Sequence, residues 1–203
     1  MPKVISPHER KRTKEAIIKH TNLLILKKKG IKDITVDEII RAVGIGKSSF
    51  YSYFKSKEEC IFEVIENDYV ETMKKAEEVA AIDMPLKEKI IKYFHDFYLP
   101  TDSISYYISP VEMEALFRKL PPTYAQREKR ITEGAIGDIA EMMHFSEAQA
   151  ETVSVLFNCV DFVATMGSVS VAARDAALDF LIIAIADYLE KNHDPHDYGR
   201  LEH

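Results

Sequence analysis

Apolar residues recur along this chain at intervals of three and four, the spacing that stacks side chains on one face of an α-helix. Ile17, Thr21, Leu24 and Ile25 make one such stripe, and Ile39, Ile40 and Val43 a shorter one. Ile61, Ile65, Tyr69, Met73, Ala76 and Ala80 extend the same period over a much longer stretch. Phe180 to Ala186, FLIIAIA, is apolar on every side. No run alternates with a period of two over the length of a strand, and no tandem repeat or low-complexity linker interrupts the chain. The pattern predicts an all-α fold of about nine helices.

Helix starts fall where the stripes begin. Ser6-Pro7-His8-Glu9 places a capping serine, a proline at the first helical position and a glutamate three residues after the cap. Ser109-Pro110-Val111-Glu112 repeats that arrangement, and Thr35 with Glu38, Ser56 with Glu59 and Ser146 with Gln149 are further boxes. Each box alone is common by chance; their agreement with the apolar periods gives them weight. The predicted helices run from Ser6 to about Lys29, Thr35 to Gly44, Gly46 to about Phe54, Ser56 to about Ile82 and Pro85 to about Leu99. Further helices start at Ser109, after Pro121-Pro122 (reaching about Met143), at Ser146 (reaching about Ser170) and at Ala173 (reaching Lys191). Residues 1–56 read as a head, 57–192 as a body, and 193–203 as a disordered tail. Leu201-Glu202-His203 resembles the start of a vector-derived tag.

Two short helices around Gly44, followed by the capped start of a long one, are the sequence form of a helix-turn-helix, whose second helix enters the major groove of DNA. The stretch ITVDEIIRAVGIGKSSFYSYFKSKEE resembles the DNA-binding segment of the TetR-type transcriptional regulators. Thr35, Val36, Ile39, Gly44, Tyr51, Tyr53, Phe54, Ser56, Lys57 and Glu58 carry the resemblance. Ile40, Val43, Gly46, Ser48, Ser49 and Cys60 depart from it, and since Ser48 and Ser49 sit where bases are read, the operator cannot be borrowed from a relative. The resemblance implies that Lys47, Ser48, Ser49 and Ser52 face base edges, that Tyr51, Tyr53 and Lys57 approach phosphates, and that Thr35 and Val36 belong to the same surface. Phe50 and Phe54, at i and i+4, take the inward side. It also implies a repressor that binds a palindromic operator as a homodimer, a long fourth helix that carries motion from body to head, and release by a small effector.

Charge sharpens this picture. The net charge of −6 argues against a nucleic-acid partner until the chain is divided. Residues 1–60 hold 14 Lys and Arg against 7 Asp and Glu, a balance of +7; the rest holds 13 against 26, a balance of −13. A basic head on an acidic body suits a protein that meets double-stranded DNA at one end. Arg10, Lys11, Arg12 and Lys14 crowd the first turns of the first helix, where the helix dipole prefers acids; a nearby phosphate backbone is one reason, an ordinary solvated face the other. The opening segment has no apolar core of the signal-peptide kind and FLIIAIA is too short to span a bilayer, so a cytoplasmic place and no membrane partner are expected.

Other chemistry is weak. Gly46-Lys47-Ser48 mimics the end of a phosphate-binding loop, but the required earlier glycine is Arg41 inside a helix. His193 and His196 form an H-x-x-H pair with no further ligand near in sequence. Cys60 and Cys159 read as two reduced, buried thiols. No cofactor, metal or catalytic constellation is expected, and the reading is of a protein that is not an enzyme; an all-α enzyme or carrier with a helix-turn-helix head is the alternative.

Eight of the 20 Phe and Tyr residues fall between Tyr93 and Tyr124. In the resembling family this region lines the effector pocket; an ordinary helical core is the competing account. Asn158 and Asp161 interrupt an apolar helix, either satisfying local partners or pointing into a cavity. The expected effector site is Tyr93, Phe97, Tyr107, Phe117, Asn158 and Asp161, taking a mostly apolar or aromatic ligand, with Asp161 favouring a cation. The expected dimer face is Val153, Leu156, Val160 and Val163 with Phe180, Leu181 and Ile183, forming a four-helix bundle with a second copy.

Overall fold

The computed structural model describes residues 6–99, 102–131, 139–141, 143 and 145–192, apart from the side chains at 97, 98, 105, 147 and 148. Within them the protein is all-α, with no strand. The tail from 193, including His193 and His196, lies outside the described residues, as does much of the predicted helix ending near Met143.

The predicted starts form as local chemistry dictates. Ser6 caps α1 (Pro7–Lys28) with a closed capping box to Glu9. Lys29 ends that helix at φ 56°, and Gly30 follows at φ 152°. Thr35 and Glu38 close the box of α2 (Val36–Val43), which Gly44 ends at φ 77°. Gly46 caps α3 (Lys47–Tyr51) without a side-chain bond. This helix is shorter than the sequence suggests, and Ser52 and Tyr53 turn out of it onto the carbonyls of Ser49 and Phe50.

Ser56 caps α4 (Lys57–Ala80) by accepting from the Glu59 amide, but the expected box does not close, because the Glu59 carboxylate accepts from the Lys55 amide at 2.8 Å instead. Pro85 is the cap, rather than the first residue, of α5 (Leu86–Tyr93), which runs on through a π-turn over Phe94–Tyr98. Ser109 and Glu112 close the box of α6 (Pro110–Phe117). After the short α7 (Ala125–Lys129) come α8 (Glu147–Ala164) and α9 (Val171–Asn192). The eighth helix stops six residues before Ser170: Thr165 leaves helical geometry, and its hydroxyl donates to the Asp161 carbonyl at 2.8 Å.

Two apolar clusters hold the molecule. One gathers Ile17, Ile25, Ile34, Ile39, Phe50 and Phe54 of the head around Cys60, Ile61, Val64 and Ile65 of α4. It also takes in Ile104, Ile108 and Leu116, so the packing of the head continues into the body through α6 and the segment before it. The other cluster packs Ala76 and Val79 against Ile90, Tyr93, Phe94, Val153, Phe157, Val160, Leu178, Ile182 and Ile185. A polar clamp adds to the junction. Lys14 of α1 and Arg127 of α7 both donate to Glu63 of α4, at 2.8 and 2.9 Å, and Arg127 also holds Glu66. Burial opposes ionisation of Glu63, but these bonds outweigh it and hold its carboxyl below the usual range. Among the described residues no helix is long and apolar enough to cross a membrane.

Candidate nucleic-acid interface and ligand cavity

The face that α3 turns to solvent follows from what it buries. Phe50 is fully buried and Phe54 nearly so, their rings 5.8 Å apart. At 100° per residue that leaves Lys47, Ser48, Tyr51 and Ser52 exposed, with Ser49 and Tyr53 partly covered. The result is a short polar surface with donors, acceptors and one cation, projecting from a helix fixed by two aromatic anchors. Serines of this kind donate or accept at a base edge, and lysine suits guanine.

Neighbouring groups pre-set this surface. Lys47 Nζ lies 3.4 Å from Asp37 Oδ1, an exposed pair that contributes little. The Thr35 hydroxyl accepts from the Glu38 amide at 3.3 Å and donates to the Glu38 carboxylate at 2.8 Å. Glu38 also meets Lys28 at 2.7 Å. The hydrogen bonds from Lys28 and then Thr35 pull its carboxyl down from 4.5 to about 2. Val36 is half-buried against the head cluster.

Lys57 donates to the Ile34 carbonyl at 2.7 Å, so its ammonium pins the residue before the α2 cap. A phosphate role for Lys57 has to compete with that bond. Among the basic residues of α1, Arg10 donates to the Ser52 carbonyl at 3.0 Å and stacks 5.3 Å from the Tyr53 ring centre. Lys14 is spent on Glu63. Lys11 lies 3.9 Å from Glu15, an exposed pair one turn on, so three of the four cations in the first turns of α1 have an intramolecular partner, which sequence position alone did not separate from a phosphate contact.

Beneath the head, α4, α6 and α8 enclose a cavity of about 420 Å³. Tyr93, Phe117, Asn158 and Asp161 of the expected effector site line it. Tyr107 does not: it is half-buried beside Tyr106, ring centres 5.0 Å apart, while Tyr106 takes a hydrogen bond from Arg174 of α9. The Phe97 side chain lies outside the described residues. Asn158 is locally satisfied as well, its amide donating to the Ser154 carbonyl at 2.9 Å. Of the lining that sequence reasoning missed, α4 supplies Ile65, Asp68, Tyr69, Thr72 and Met73, and α6 with the segment before it supplies Ile104, Ile108, Pro110, Met113 and Glu114. Tyr69 and Met73 were legible as an inward stripe, but a stripe facing a cavity has the same period as one facing a core.

α6 connects this cavity with the head. Pro110, Met113 and Phe117 face the cavity. From the same helix, Glu112 Oε1 accepts from the amides of Ile31 and Lys32, at 3.1 and 3.3 Å, in the turn between α1 and α2. Its other oxygen closes the Ser109 box. Gly30 makes this approach feasible, because a Cβ there would stand 2.9 Å from Glu112 Oε1 on a backbone at φ 152°.

The expected dimer face divides. Val153 and Val160 are fully buried within the chain, and Leu156, Val163 and Leu181 are partly buried. Phe180 and Ile183 do face out, at 72% and 46% exposure. On α8 the outward apolar side chains are Val155 and Phe162, one and two turns along a face that sequence reading passed over. Cys159, between them, is exposed rather than buried; Cys60 is buried, with its sulfur 3.4 Å from the Thr21 hydroxyl.

The head is thus a helix-turn-helix of the kind that DNA-binding proteins carry. Residues 25–64 match the bacterial regulatory proteins of the tetR family, so the chain carries that family's N-terminal domain. The chain is also similar to the uncharacterized HTH-type transcriptional regulator YerO of Bacillus subtilis (strain 168), with 39% identity over 90 residues. That match covers 41% of this chain and 31% of the relative, so the chain spans less than a third of the relative's length.

Proposed function

We propose that this protein is a DNA-binding transcriptional regulator, a repressor that holds a palindromic operator as a homodimer and releases it when a small, mostly apolar effector enters the cavity beneath the head. The observation that carries the DNA-binding part is the α3 surface, with Phe50 and Phe54 inward and Lys47, Ser48, Tyr51 and Ser52 outward on a tetR-family domain. Apolar side chains exposed on adjacent helices, Val155 and Phe162 of α8 with Phe180 and Ile183 of α9, support pairing with a second copy. Two-fold pairing implies two recognition helices about 34 Å apart or more, hence a palindrome. Release is supported by the path from cavity to head: an effector that shifts α6 strains the Glu112 contacts to Ile31 and Lys32, and one that shifts α4 moves the helix on which the head is built. Coupling of this kind typically amounts to about 1–3 kcal/mol and is reciprocal.

The test is a mobility shift on the DNA flanking the protein's own gene, with the mass of the free protein measured in parallel. A specific shift by a dimer is expected, and Phe162→Asp is expected to give a monomer with much weaker operator binding. A monomeric parent at micromolar concentration, or equal affinity for unrelated DNA, refutes the proposal.

A further inference from the structure

The base-reading surface sits on a helix too short to hold its own place. α3 is five residues long and Gly46 caps it without a side-chain bond, so its orientation is imposed by its neighbours. Phe50 and Phe54 fix its depth from the core side, their ring centres 5.8 Å apart. Two anchors on one line leave rotation about that line open. Side-chain tips stand about 5–6 Å from a helix axis, so a turn of about 20° moves them about 2 Å, enough to break a hydrogen bond to a base edge. Arg10 supplies a third point, at the exit of the helix. Its guanidinium donates to the Ser52 carbonyl at 3.0 Å and lies 5.3 Å from the Tyr53 ring centre. Ser52 ends α3, and its hydroxyl donates back to the Ser49 carbonyl at 2.7 Å, so the carbonyl that Arg10 holds belongs to a turn already tied to the helix. Arg10 is itself held. The capping box of Ser6 and Glu9 fixes the start of α1 just ahead of it. One turn on, Lys14 stands 5.6 Å from the Phe54 ring centre and donates to Glu63 at 2.8 Å. The i, i+4 spacing puts both cations on one face of α1, each against a ring that follows α3.

On the DNA-binding reading above, we propose that Arg10 is a positioning residue for base readout: it sets the rotation of α3, and so the placing of Ser48, Ser49 and Ser52, rather than contacting a phosphate itself. Its charge is directed at a carbonyl and a ring of this chain. A planar guanidinium suits the task, because it stacks on a ring while donating in its own plane to a carbonyl; an ammonium is a point charge on a flexible stem and lacks that fork. A phosphate contact would add affinity for every duplex alike, whereas a contact that orients the reading helix adds affinity where the bases match.

The experiment compares the full-length parent with Arg10→Ala and Arg10→Lys on two duplexes of equal length, the DNA flanking the protein's own gene and an unrelated sequence. Each is titrated over a salt series, with thermal melts alongside. Arg10→Ala should lose about fivefold or more of the preference for the flanking DNA. Its affinity for the unrelated duplex should stay within about twofold, and its slope of log K against log salt should match the parent's. Arg10→Lys, which keeps the charge, should not restore the preference. In the free protein, amide hydrogen exchange at Ser52, Tyr53 and Phe54 should quicken about fivefold in both variants, while Ile17 and Ile25 in the core of α1 exchange as in the parent. Equal weakening on both duplexes, a slope flattened by about 0.9 for each copy bound, or rescue by lysine marks a phosphate contact and overturns the inference. A preference unchanged in Arg10→Ala overturns it too, whatever the melting temperature, because the side chain is then merely structural. In either case a parent that prefers the flanking DNA keeps the DNA-binding reading. A parent with no preference between the duplexes removes both.

Discussion

Replacing Glu112 by alanine should uncouple the body from the head. Glu112 Oε1 accepts from the amides of Ile31 and Lys32, residues 81 and 80 positions away, and Oε2 accepts from Ser109. Hydrogen bonds to a charged group contribute about 1.5–3 kcal/mol each, and these belong at the low end because one of the amides is exposed and both bonds are long. The head contact should therefore amount to about 2–3 kcal/mol, beyond about 1 kcal/mol for the cap. Ser109→Ala removes most of the cap and keeps the head contact, so the difference between the two variants isolates it. Urea unfolding measures both, and operator affinity with and without effector measures the consequence. Glu112→Ala should cost about 2 kcal/mol more than Ser109→Ala and reduce the effector's influence on DNA binding. Gly30→Ala supplies an independent check, since part of its cost is the encounter of its Cβ with Glu112 Oε1. It should be less harmful in the Glu112→Ala background, a coupling that a double-mutant cycle reads directly. Equal destabilisation by Glu112→Ala and Ser109→Ala, with additive Gly30→Ala, would refute the reasoning.

The remaining predictions concern the head and the thiols. Lys47→Ala should change sequence preference, by about 1–3 kcal/mol at one base pair, whereas Lys57→Ala should lower stability through the lost Ile34 carbonyl bond as well as any phosphate contact; operator titrations beside thermal melts separate the two. Cys60 should react with a thiol reagent only after unfolding, since burial raises its thiol to about 12; a Cys60 that reacts fast in the native protein would contradict this. Glu38 is depressed from 4.5 to about 2, so its stabilisation is complete above about 4.5 and is lost as the pH falls towards 2. Melts from pH 6 to 2.5 should show Glu38→Gln destabilised at the upper end and converging on the parent at the lower; a constant gap would mean that ionisation is not the cause.

Much of this architecture is local, and local features could be read from the chain. The boxes at Ser6, Thr35, Ser109 and Ser146 all closed, because each joins a hydroxyl and an acid or amide three residues apart and needs no partner from elsewhere. Gly44 took the left-handed conformation that a helix end requires. Phe50 turned inward because a five-residue helix has only one face to bury, and Phe54, in the turn after the helix, packs beside it. What tertiary structure alone decided was which neighbour covers which side. Periodicity gave α8 an apolar stripe at Val153, Leu156, Val160 and Val163, but the core of the same chain claimed Val153 and Val160, leaving Val155 and Phe162 outside. Tyr107 was drawn aside with Tyr106, and Cys159 was left exposed for the same reason. Glu112 shows the division in one residue. Its bond to Ser109 is a property of sequence, while its bonds to Ile31 and Lys32 exist only because the chain brings α6 against the turn after Gly30.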